Sequence, residues 1–146
     1  MTIIYVGGIE DVIKIHDKTV DISGGGLKGI KSTHSLECAL EQIQNDDYYP
    51  DFIDKLTHLF FVANKSHTFI DGNKRIAIAL GGMFLFKNGF LNVVQRFMTK
   101  MEMVSYHVAA GNIDKDLLRA ISYSVVYEDD YSDELKLNIV DAISED

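Results

Sequence analysis

The chain has 146 residues, a length that gives one domain with its own core, because a domain of this size buries roughly two-thirds of its unfolded surface. Hydrophobic residues make up 47% and charged residues 25%, the mix of a folded globular chain, which excludes a disordered or fibrous one. A net charge of -8 repels nucleic-acid phosphates in bulk, so direct nucleic-acid binding is not expected, although a local basic site can still hold a small anion.

Met1 to Gly8 lacks the basic stretch, apolar core and cleavage site of a signal peptide, so export is not expected. Ile9, Val12, Ile13, Ile15 and Val20 recur at helical steps and predict a first helix that ends before Ser23-Gly24-Gly25-Gly26. The stretch from there through Leu27, Lys28, Gly29 and Lys31 to Thr33 reads as a flexible connection. Leu36, Ala39, Leu40 and Ile43 give a short second helix. It carries Cys38, the only cysteine, read as a small buried hydrophobe; no intramolecular disulfide is possible, which fits a reducing cytoplasm. Pro50 suits the first turn of a third helix, through Ile53, Leu56, Leu59, Phe60 and Ala63 to about Ser66. Ile76 to Phe86 is apolar on nearly every face and far shorter than the roughly 20 residues of a membrane span, so it predicts a core helix, closed by Asn88-Gly89. Further helices are expected over Met98 to Ala110, Asp114 to Tyr127 and, after a Ser132 cap, Leu135 to Ile143. The fold class is therefore all-α, as one domain over 1–146, with 124–146 an added helical tail.

Between the third helix and the core helix lies His67-Thr68-Phe69-Ile70-Asp71-Gly72-Asn73-Lys74-Arg75, an unusual concentration of polarity between two apolar segments. Gly72 and Asn73 stand where the core helix must begin, and a helix N-terminus offers unpaired N–H groups to an anion such as phosphate. Arg75 can add a planar fork of donors and Lys74 a point charge. Asp71 offers hard oxygens to Mg2+, and the imidazole of His67 is the side-chain type best suited to taking a proton from a hydroxyl near neutrality. Each residue alone has a plainer reading: His67 a packed or capping residue, Asp71 a cap, Gly72-Asn73 a turn, and Lys74 and Arg75 a solvated face. The order and the apolar setting set the group apart. His16, His34, His58 and His107 have no comparable setting; His58 reads as a hydrogen-bonded core residue and the others as surface or interface groups.

The string resembles the Fic family signature, His-x-Phe-x-(Asp/Glu)-Gly-Asn-Gly-Arg, and is closer still to its death-on-curing (Doc) variant, His-x-Phe-x-Asp-(Ala/Gly)-Asn-Lys-Arg. Similarity extends over roughly residues 9 to 122, with Gly25 to Leu40 like the Doc flap and helix and Val108 to Asp114 like a later junction. The resemblance implies a compact helical bundle with a flap between its first two helices. It implies His67 as catalytic base, Asp71 as the Mg2+ ligand, and Gly72, Asn73, Lys74 and Arg75 as holders of the nucleotide phosphates, with Lys74 and Arg75 also serving the transfer. The flap residues Gly24, Gly25, Gly26, Leu27 and Lys28 would bind the target, by pairing of extended backbone. ATP is the implied substrate. Lys74 replaces the Gly of AMP-transferring members, and in Doc that lysine accompanies phosphate transfer to elongation factor Tu, with a reversed nucleotide pose. AMP transfer is the alternative, and a non-catalytic binding module a further one. Toxins of this type are restrained by an antitoxin partner. Ser124-Val125-Val126-Tyr127-Glu128-Asp129 approaches the self-inhibiting Ser/Thr-x-x-x-Glu-Gly/Asn helix but ends in Asp, so a separate antitoxin is the expectation.

Overall fold

The protein is described by a computed structural model over residues 2–144. Among the described residues seven helices follow one another: α1 (Ile9–Ile22), α2 (His34–Gln42), α3 (Phe52–Lys65), α4 (Asn73–Lys87), α5 (Leu91–Ala109), α6 (Lys115–Tyr127) and α7 (Asp133–Ile143). The described residues hold no strand, only an isolated antiparallel bridge between Ile30 and Phe69. None of these helices is long and apolar enough to cross a membrane.

Helix α4 is the centre of the bundle, held between α3 and α5, with α1 also against it; α6 packs on α3 and α5, and α7 on α6. Its all-round apolarity follows from that position, since Ile76, Ala77, Leu80, Phe84 and Leu85 are all buried. The approach of α5 is set by a small residue. A Cβ at Gly81 would lie 2.5 Å from the Phe97 ring, so the glycine is what lets the Phe97 ring come against α4. Phe97 is wholly buried and meets Phe60 edge to face at 5.9 Å. One buried apolar cluster runs from Val6 to Ile139, taking in α7 through Leu135 and Ile139.

Polar residues fix the ends of these helices. Asp114 accepts from the Leu117 N–H at 2.8 Å, and Ser132 from that of Leu135 at 3.1 Å, as expected of a cap at Ser132. Lys55, only 1% exposed, donates to the Ile43 carbonyl at the end of α2 and to Asp46, both at 2.7 Å, which satisfies an orphan carbonyl and ties α2 to α3.

Two helix starts differ from the sequence-based expectation. Pro50 precedes α3 rather than opening it, because Asp51 caps that helix and its own N–H is bonded by Asp54 at 3.2 Å. Helix α5 starts at Leu91, seven residues before the expected Met98. Position 124, where the resemblance stops, lies within α6, whose last turn keeps Ser124, Val125 and Val126 buried. Cys38 is half-buried rather than buried, with Sγ 3.7 Å from His34 Nε2 one turn back.

Candidate active site

The loop from His67 to Gly72 joins α3 to α4 and is shaped from both ends. His67 has φ of 49°, the one left-handed non-glycine residue among those described, and turns the chain sharply off the end of α3. Its side chain is exposed and makes no hydrogen bond with the described residues. Gly72 has φ of 83° and is the N-cap of α4; a Cβ there would sit 3.2 Å from His16 Nε2 and 3.4 Å from the Arg75 guanidinium. Between them, Asn73 reaches back one turn, accepting from the Phe69 N–H at 3.0 Å and donating to the Phe69 carbonyl at 2.8 Å. Asn73 thus spends its oxygen and one N–H on loop shape, and a second N–H remains for a ligand. Phe69 is buried, as a plug of the loop into the core.

The residue that sequence reasoning missed here is His16. It is 1% exposed rather than at the surface, stacked flat on Phe69 with ring centroids 3.8 Å apart and planes within 4°. Its Nε2 lies 2.6 Å from the Asp71 carbonyl, and since a carbonyl only accepts, that nitrogen carries the proton. Helix α1 therefore supports the loop from behind, one turn from the glycine at the helix start.

No side chain caps α4, so the N–H groups of its first turn, on Asn73, Lys74 and Arg75, face outward without an acceptor among the described residues. Lys74 is exposed and makes no ion pair with described residues. Arg75 is not free: one guanidinium nitrogen donates to Ser23 Oγ at 2.8 Å and to the Gly25 carbonyl at 2.9 Å, and another stands 3.5 Å from Asp71 Oδ2. Asp71 in turn accepts from the N–H groups of Leu27 at 3.3 Å and Gly72 at 2.8 Å. The glycine-rich segment thus lies directly over Asp71 and Arg75, so closely that a Cβ on Gly26 would be 2.6 Å from the Asp71 carboxylate.

Within the flap, Gly24, Gly25 and Gly26 all have positive φ, of 96°, 87° and 141°, and the chain turns at Ser23-Gly24 as it leaves α1. Extended pairing occurs further on, where Lys31 donates to the Thr68 carbonyl at 2.8 Å and Ile70 to the Gly29 carbonyl at 3.1 Å. Lys28, on the outside, pairs with Asp21 at 2.8 Å, and that bond raises its ammonium above the usual lysine range.

A groove of ≈ 480 Å³ continues from Arg75 between α1, α4 and α5, lined by Ile22, Ile78, Met98, Gln95 and Glu102. A larger one of ≈ 780 Å³ lies elsewhere, around Pro50, Lys55, Arg119 and Tyr127, and contains none of the motif residues. Glu128 borders a third groove with Arg119, Tyr123 and Ser132, and no ion pair joins it to Arg75. For a divalent cation, the described residues hold no group of three or more His, Cys, Asp or Glu side chains placed to bind one. The single carboxylate of Asp71, about half exposed and with lone pairs to spare, fits the mode of Mg2+ that is carried largely by substrate phosphates and water.

A comparison with curated proteins finds no match. The sequence model of the Fic/DOC family matches residues 8–85, which span α1, the flap, α2, α3 and all but the last two residues of α4. Family members are generally transferases. With a match over more than half its length, and with the motif, the flap and the central helix in the order described, the chain belongs to the Fic/DOC family.

Proposed function

We propose that the protein is a Doc-like phosphotransferase, moving the terminal phosphate of ATP onto a hydroxyl of a target protein. The observation that carries this reading is the uncapped start of α4 with two cations in its first turn, Lys74 projecting into solvent and Arg75 lying against the loop. Anions bind such helix starts through N–H groups and dipole, and the guanidinium fork adds directional donors. The groove beyond Arg75 has the volume of a nucleoside site.

In the reaction, His67 accepts the proton of the target hydroxyl, the new O–P bond forms in line, and the bond from the γ-phosphorus to ADP breaks. Backbone N–H groups of α4 and the Arg75 guanidinium stabilise charge on the transferred group. Asp71 would hold Mg2+, which when bound neutralises phosphate charge. The target docks along the flap. Gly29 and Lys31 already face the loop, so Ile30 in antiparallel geometry turns its own N–H and C=O away from it, open to a further strand. Leu27, Ile30 and Ile70, all about half exposed or more, supply apolar contact beside that edge.

A reading as an AMP transferase draws on one observation, the exposed and unpaired Lys74, whose flexible stem can swing out and leave room for the opposite nucleotide pose. Elongation factor Tu is the proposed target and a separate antitoxin the proposed restraint, both by resemblance. Intact mass of elongation factor Tu after incubation with ATP and Mg2+ tests the assignment. Gain of one phosphate with ADP released is expected; gain of AMP with pyrophosphate released overturns phosphotransfer, and an unmodified target overturns the assignment to that substrate.

A further inference from the structure

We propose that Lys115 is a nucleophilic lysine that takes a covalent acyl group from a small activated donor such as an acyl phosphate, in a cavity where His58 and Thr57 flank it. The cavity, ≈ 180 Å³, is lined by Tyr48, Tyr49, Asp54, Thr57, Lys115, Asp116 and Arg119, and shares no residue with the Fic motif. Lys115 opens α6 and is partly exposed, so a small molecule can reach it.

Three features set it apart from an ordinary surface lysine. The first is its partner. Nζ lies 2.7 Å from His58 Nδ1, and His58 Nε2 lies 2.9 Å from Gln42 Oε1. The amide oxygen can only accept, which assigns the imidazole proton to Nε2 and leaves Nδ1 as an acceptor for Lys115. The second is the missing counter-ion. Lys115 makes no ion pair with described residues; Asp54, the acidic group of α3 in the cavity, is taken by Arg119 Nε at 2.6 Å, and Nζ instead lies 5.4 Å from the Tyr49 ring centroid and 6.0 Å from that of Phe61. Burial lowers the Lys115 ammonium from its ordinary range, against the opposing pull of Asp116 and Asp54, so more of the free amine is present at neutrality than on an exposed lysine. The third is Thr57, which lines the cavity and is 2% exposed, and whose Oγ1 has no hydrogen-bond partner among the described residues, which leaves its O–H for an acyl oxygen.

In the reaction the free amine attacks the acyl carbon, a C–N bond forms, and the C–O bond to phosphate breaks with its electron pair leaving on the phosphate. The amine proton departs with that phosphate, directly or through solvent, and nothing is oxidised or reduced. His58 orients Nζ by accepting one N–H. Thr57 Oγ1 donates to the oxygen on which charge develops, and Arg119 at the rim receives the anionic leaving group.

The test is peptide mass mapping of the intact protein after timed exposure to acetyl phosphate over a range of pH. Lys115 should be acetylated several-fold faster than the exposed Lys87 at neutral pH, with its rate levelling at a lower pH. Thr57→Val should slow Lys115 with Lys87 unaffected, a split that a general loss of structure would not give. A wild-type Lys115 rate equal to or below that of Lys87 overturns the proposal, as does an unchanged Lys115 rate in Thr57→Val.

Discussion

Replacing His16 tests whether α1 positions the motif loop. In His16→Ala the part-buried Asp71 carbonyl loses its donor, now at 2.6 Å, and Phe69 loses the ring stacked on it at 3.8 Å. An unsatisfied carbonyl costs about 1–3 kcal/mol when fully buried, toward the lower end where it is part-buried, and an aromatic stack about 0.5–1.5 kcal/mol, so their sum is about 2–3 kcal/mol. For a chain of this size that corresponds to a fall in Tm of about 4–12 °C. His16→Phe keeps the stack and removes only the bond, so it should lose less stability than His16→Ala and still displace Asp71. The assay is thermal unfolding by circular dichroism beside the transfer rate and its dependence on Mg2+. Stability of His16→Ala within about 0.5 kcal/mol of the wild type, a shift typical of a surface substitution, would refute the supporting role.

His67→Ala should abolish transfer with the circular dichroism spectrum unchanged, because the side chain is exposed and bonded to nothing described; retained activity removes it as the base. Burial, and then the neighbouring Lys115 charge, depress His58 from 6.5 to about 4, so the unfolded chain takes up a proton that the folded one refuses. His58 therefore lowers stability as pH falls from about 6.5 towards 4, and His58→Gln should flatten the denaturant midpoint over that window relative to wild type. Equal slopes in both proteins would contradict it. Gly81→Ala puts a methyl 2.5 Å from the Phe97 ring and should destabilise by about 1–3 kcal/mol in chemical unfolding; a neutral result would mean that α5 moves away freely.

The Fic motif was legible because its chemistry is contiguous: imidazole, carboxylate, glycine and cations follow one another in the chain. The start of α4 was equally legible, since an apolar run following Gly72-Asn73 admits few other geometries. His16 was hidden because its partners, Phe69 and Asp71, are more than fifty residues away. A signal existed in the spacing of Val12, His16 and Val20, whose four-residue steps place the imidazole on the same buried face as two fully buried valines. The early start of α5 was hidden for a different reason. From Leu91 to Arg96 only Val93 is buried, so one inward residue per turn and a half gives no periodic signal. Positive φ at three successive glycines cannot be read from composition, which is why the segment over Arg75 read only as a flexible connection.

The hold of Ser23 and Gly25 on Arg75 changes how nucleotide affinity has to be interpreted. On the proposed function, an arriving phosphate would exchange acceptors at the guanidinium rather than gain them, and its dissociation constant would contain the free energy of peeling the glycine turn away. Affinity is thereby tunable from outside the pocket. Changes to loop length or stiffness between α1 and α2 would shift binding strength while every atom that touches the nucleotide stays the same.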